Sequence, residues 1–229
     1  MRWNSFNSNE RDHNLPDTRI RLRFSRLDKA AGLSHADQLR ELRRRAGASG
    51  LPCCGKNTPK MSFSPALSEG CLSSCEFADL YLYDFVTAEE AAEKIHVFDD
   101  DKYVLKSSRR IPVFFPAVEA AANAVKYRIE SENEFSRSRL EEFLAATSWI
   151  YERLKASGKT QRFDIRSIYI DSEISSDAKT LTLTLAFSQG ANVRPEAAAL
   201  SIFGQDIDIK LIERMDLLWK DSKGGLNAF

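Results

Sequence analysis

The sequence has 229 residues, 43% of them hydrophobic and 29% charged, with 33 basic side chains balanced by 33 acidic ones. That is enough chain for one substantial core or two small ones. A mean hydropathy of −0.38, with no run near the roughly 18 apolar residues that a spanning helix needs, argues against a membrane helix.

The start, MRWNSFNSNERDH, has no apolar stretch of the secretory kind. Four cysteines in a chain of this length do not suggest a disulfide scaffold, so the expected location is the cytoplasm. The zero net charge hides an asymmetry. Residues 1–60 hold 13 basic and 6 acidic side chains and the rest hold 20 and 27, so the two parts carry +7 and −7.

Residues 1–60 read as a disordered, arginine-rich arm without a core of its own. They contain the ladder Arg19, Arg21, Arg23 and Arg26, then the run Arg43, Arg44 and Arg45, and they close on the breaker-rich AGASGLPCCGKNTPK. Met61 begins a compositionally ordinary domain and is a candidate start. Within the arm, Thr18–Leu27 alternates arginine with Ile20, Leu22 and Phe24, and 35–45 has Leu39 and Leu42 on one helical face. Both are expected to order only on contact. The seven arginines are the candidate nucleic-acid contacts, because guanidinium groups pair with phosphates and release counterions. An acidic protein partner, or the acidic body itself, is the competing occupant.

Residues 61–229 read as a single α+β domain in which two helices cover one face of an antiparallel sheet. Residues 80–85 (LYLYDF) are a strand candidate, and Thr87 with Glu90 three positions on is a capping pair that starts a helix ending near Ile95. A lone His96 at that helix end fits a C-terminal cation better than a ligand. Segment 111–130 fits both periods, and its three consecutive alanines tip it towards helix, although Val125, Tyr127 and Ile129 alternate. Residues 138–156 carry the strongest helical signal, with Ser138 and Glu141 as a capping box and Gly158 as the stop. Two strands, 163–174 and 180–187, then form a hairpin around SSDAK, with a bulge expected near Arg166 and Ser167 where the apolar phase shifts. Pro195 opens a short helix, and the alternation of Ile207, Ile209, Leu211, Met215, Leu217 and Trp219 predicts a final strand.

Three chemical patterns compete with these structural readings. Cys53, Cys54, Cys71 and Cys75 supply four thiols, but adjacent Cys53 and Cys54 suit one tetrahedral ion poorly, and no metal is expected. Gly158-Lys159-Thr160 resembles the end of a phosphate loop, but Arg153 stands where the leading glycine belongs. Asp208 and Lys210 on one strand face, with Asp171 upstream, would suit a magnesium-dependent nuclease. The same acid-x-Lys spacing recurs at Asp100, Asp177 and Asp221, so it is not specific. The sequence therefore favours a non-enzymatic interaction or assembly domain without a cofactor, with a protein partner or self-association. The alternative is a nucleic-acid-binding protein or metal-dependent nuclease.

Overall fold

The computed structural model describes residues 13–95, 100–154, 158–187 and 193–229. One strand in from an edge of its large sheet lies β1 (Thr18–Arg26), in which every residue except Arg23 is buried. β1 lies between β3 (Leu72–Leu82) and β4 (Tyr103–Ile111), antiparallel to both. The sheet continues from β3 through β10 (Ile209–Lys220), β5 (Ala124–Ser131) and β9 (Thr180–Ala186) to β8 (Tyr169–Ile174). All these neighbours are antiparallel except β3 and β10, which pair in parallel over a short stretch. Two short strands, β2 (Met61–Phe63) and β11 (Leu226–Ala228), add to β3 and β10.

This architecture corrects the arm. Residues 18–60 belong to the sheet and its cover, because the apolar members of the alternating segment meet a complementary strand. Ile20, Leu22 and Phe24 are at most 1% exposed and pack with Ala78, Leu80 and Leu82 of β3. Above them lie α1 (Asp28–Ala31), α2 (His35–Ala48) and α3 (Ala88–Lys94), contributing Ala30, Leu42, Ala46 and Ala91. At about 25 cal/mol per Å² of apolar surface, such burial outweighs the marginal stability of either segment alone. Residues 1–12 and His96 lie outside the described residues.

The second half holds the larger cluster, in which Val125, Tyr127, Ile129, Leu181, Leu183 and Leu185 pack against Phe143 of α5 (Arg137–Ala145) and against Ala198, Ala199 and Ile202 of α7 (Pro195–Phe203). Thr87 caps α3 by accepting from the Glu90 amide at 3.1 Å, as the sequence predicts. Pro195 sits in the first turn of α7. The β8–β9 hairpin and the final strand are also present, with Ala178 at φ 57° in the SSDAK turn.

Three expectations change. Segment 111–130 divides into the single turn α4 (Val118–Ala121) and β5, because Tyr127 and Ile129 pair with Leu183 and Leu181, and that pairing overrides alanine propensity. The helix expected over 138–156 starts instead from Ser136, which accepts from the Arg139 amide, and it stops when Ala146 turns extended. Ile150 and Leu154, which helical spacing over 138–156 would put on the apolar face, are 53% and 72% exposed on β6 (Ile150–Leu154), which pairs with β7 (Thr160–Asp164). Gly158, at φ 76°, accordingly lies in the β6–β7 connection and caps no helix. The phase shift near Arg166 is α6 (Ile165–Ile168), one helical turn capped by Asp164, and not a bulge.

Candidate nucleic-acid interface

The seven arginines fall into two groups once they are placed on the fold. Arg19 and Arg21 point to the same side of β1 and share one carboxylate, Asp79 of β3, which is 1% exposed. Arg21 holds it with two bonds, Nε to Oδ1 at 2.7 Å and Nη2 to Oδ2 at 2.9 Å. The Arg19 guanidinium also donates to the carbonyls of Val113, Phe115 and Pro116. Arg26 turns back on α1 and donates to the carbonyls of Ala30, Ala31 and Leu33, so it caps a helix C-terminus. Burial holds its pKa below the ordinary arginine value, against the raising effect of Glu76. Arg45 donates to Glu41 and Asp100, both at 2.6 Å, and lies over the Tyr103 ring. These four are structural cations and are not available to a ligand.

Arg23, Arg43 and Arg44 remain. Arg23 is half exposed and pairs with Asp216 at 3.3 Å. Arg43 and Arg44 make no ion pair among the described residues, and both line a groove of about 680 Å³ along the outer side of α2. The groove is bounded by Leu39, Arg40 and Gly47 on the helix and by Asn57, Thr58 and Pro59 on the facing loop. Three arginines and no carboxylate line it. The Arg43 guanidinium lies 5.0 Å over the ring of Phe63, which β2 supplies. Arg40 is exposed and pairs with Asp37 one turn earlier. The other acid of the helix, Glu41, is engaged on the opposite side by Arg45 and Lys102.

The loop wall is fixed at both ends. The Cys54 amide donates to the Tyr81 carbonyl, and the Lys60 amide closes back onto the Cys54 carbonyl at 2.7 Å. Gly55 makes this turn at φ 108°, where a β-carbon would stand 2.2 Å from the Thr58 carbonyl oxygen, so only glycine fits. The breaker-rich stretch that reads as a linker is thus the tight turn that presents Asn57, Thr58 and Pro59 to the helix. Arg40 escaped the sequence reading because it stands apart from the run at 43–45, although i, i+3 spacing already puts it beside Arg43.

The other candidates do not assemble. Lys210 pairs with Asp208 at 3.0 Å at the start of β10, and both are exposed. Asp171 lies on β8, three strand positions away, roughly 14 Å at 4.8 Å per strand. The four cysteines are free thiols, three of them buried, and among the described residues no three His, Cys, Asp or Glu side chains gather in a metal-binding group. His13 stacks on Tyr83 at 4.1 Å, and His35 is the first residue of α2. One buried cation has no forewarning in the sequence. Arg214, in the middle of the apolar alternation of β10, is fully buried and donates to Glu76, Pro65 and Ala66, each at 2.9 Å. Among the described residues no helix is long and apolar enough to cross a membrane.

The chain is an α+β protein built on one large, mainly antiparallel sheet with a basic groove beside its second helix. Residues 19–195 match the model of a family described as an uncharacterized protein conserved in bacteria, DUF2344, and the chain belongs to that family. No curated protein matches the sequence. Among solved structures, a chain of a Cbf5-Nop10-Gar1 complex is similar at 9% identity and a TM-score of 0.41, over 85% of this chain and 48% of that one. A chain of an H/ACA RNP bound to a substrate RNA containing 2'-deoxyuridine is similar at 8% identity and a TM-score of 0.37, over 84% and 46%. The protein spans about half the length of those chains.

Proposed function

We propose that the protein is a non-enzymatic nucleic-acid-binding module that holds a phosphate backbone in the groove between α2 and residues 57–59. The observation that carries this reading is the lining itself: Arg40, Arg43 and Arg44 with no carboxylate, on a helix whose Glu41 is neutralised elsewhere. Ion pairing to phosphate with release of counterions gives such a surface its affinity, without requiring a reactive group. The four free thiols fit a reducing compartment, and the cytoplasm is the site of action in this reading. Self-association or a protein partner is the second reading, favoured by Phe114 and Phe115, which stand 85% and 48% exposed after β4. The separation of Asp171 from Asp208 and Lys210 removes the support for a metal-dependent nuclease.

Fluorescence anisotropy with labelled DNA and RNA oligonucleotides, single-stranded and duplex, tests the reading. Three groove cations at about 0.7 to 0.9 each set the upper limit, so log K should fall with salt by no more than roughly 2 to 3 per decade. Arg40→Glu with Arg44→Glu should abolish the binding. The reading fails if no oligonucleotide binds at low salt, or if the double variant binds as well as the wild type.

A further inference from the structure

We infer that the groove is a single-strand site in which Arg43 is the stacking platform for one unpaired base. This deepens the proposed function and rests on it. Three features of Arg43 bear on base recognition, and the ring contact is the one that Arg40 and Arg44 do not share. Its guanidinium lies over the Phe63 ring at 5.0 Å, it lines the groove, and it has no ion pair among the described residues. Arg43 thus has an aromatic ring at cation–π distance on one side while it also lines the groove, which leaves its guanidinium within reach of a base in the cavity. Unpaired bases stack on such arginine planes in single-stranded recognition.

The rest of the lining matches the other parts of a nucleotide. Asn57 and Thr58 on the facing wall supply an amide and a hydroxyl, which donate to and accept from base edges. Leu39 and Pro59 offer apolar contact, and Arg40 and Arg44 reach the flanking phosphates on either side of Arg43. A duplex could use only the phosphate contacts, because its base faces are closed by stacking. A volume of about 680 Å³ is also the scale of a small-molecule cleft, not of a track that accommodates two strands.

The test uses the full chain and four probes of one length: a mixed-sequence single strand, the corresponding duplex, a single strand of abasic residues, and a free mononucleotide as competitor. The single strand should bind more tightly than the duplex and the abasic strand, and the mononucleotide should compete only weakly because it lacks the flanking phosphates. Arg43→Lys keeps the charge and loses the plane. It should weaken single-strand binding by about 5- to 150-fold, the range for loss of one stacked base, with the salt dependence unchanged. Arg43→Gln removes the charge and keeps a smaller planar group, so it should keep part of the preference for single strands, with a salt slope still set by Arg40 and Arg44. Thermal midpoints of both variants at the wild-type value show that the fold is intact. Equal binding of single strand, duplex and abasic strand would overturn the inference and leave the phosphate-binding reading standing. So would an Arg43→Lys protein with wild-type affinity and selectivity. Absence of binding by every probe would sink both.

Discussion

Asp79 is the residue on which the revised place of the N-terminal segment depends, and its removal should be costly. Its carboxylate is 1% exposed and accepts from Arg19 and from both Nε and Nη2 of Arg21, two cations that are themselves nearly fully buried. Three charge-assisted hydrogen bonds at about 1.5–3 kcal/mol each set an upper bound. The true loss is smaller, because Arg19 keeps the carbonyls of Val113, Phe115 and Pro116 as acceptors. Breaking a buried pair and leaving the partner charge typically costs about 3–5 kcal/mol, and that is the expectation for Asp79→Ala. For a chain of this size it corresponds to a fall in thermal midpoint of roughly 6–20 °C. Asp216→Ala is the control. It breaks a half-exposed pair with Arg23 at 3.3 Å and should cost less than about 1 kcal/mol. Urea unfolding of the two variants beside the wild type measures the difference. A loss below about 1 kcal/mol for Asp79→Ala would mean that β1 is not held as described.

Phe143 and Leu183 are fully buried in the larger cluster, so truncating either to alanine should cost about 2–5 kcal/mol by urea unfolding, and tolerance at both sites would contradict the packing of α5 on the sheet. Burial, with Cys54 adjacent, pushes the Cys53 thiol up to about 11, which leaves about one part in a thousand as thiolate at pH 8. Iodoacetamide should therefore label native Cys53 far more slowly than the unfolded chain, and equal rates would refute that environment. Burial alone would raise the Glu41 carboxyl, but the hydrogen bonds from Arg45 and Lys102 outweigh it and hold its pKa below the ordinary glutamate value. A depressed folded value contributes stability that is full above the unfolded pKa of about 4.5 and is lost as pH falls through the folded one. Stability should decline below about pH 4.5, and Glu41→Gln should flatten that decline when ΔG is followed against pH.

The legible parts of the sequence were those whose signal is local. The Thr87 cap, Pro195 at a helix start, the SSDAK hairpin and the β10 alternation all depend on residues within a few positions of one another. What misled was long-range compensation. In β1 the alternation of arginine with Ile20, Leu22 and Phe24 is a strand pattern buried on both faces, but the acid that makes it possible stands about sixty residues away at Asp79. Composition alone therefore suggests an arm where the fold has a buried strand paired on both sides. The helix over 138–156 failed for a related reason, since Ile150 and Leu154 satisfy helical spacing and strand alternation alike, and pairing with β7 decided between them. The groove was half visible. Arg43 and Arg44 were evident as a run, whereas Phe63 beneath Arg43 and the wall at 57–59 required the Gly55 turn and β2 to bring them to α2.

The central claim is where nucleic acid touches the chain, and photo-crosslinking addresses that most directly. A single-stranded RNA carrying 4-thiouridine, irradiated with the full-length protein and mapped by peptide mass spectrometry, should give crosslinks within residues 36–63, in α2, the 57–59 wall or Phe63, that disappear in the Arg40→Glu, Arg44→Glu protein. Crosslinks confined to β8 or the start of β10, or crosslinks within 36–63 that survive the double substitution, would contradict the account.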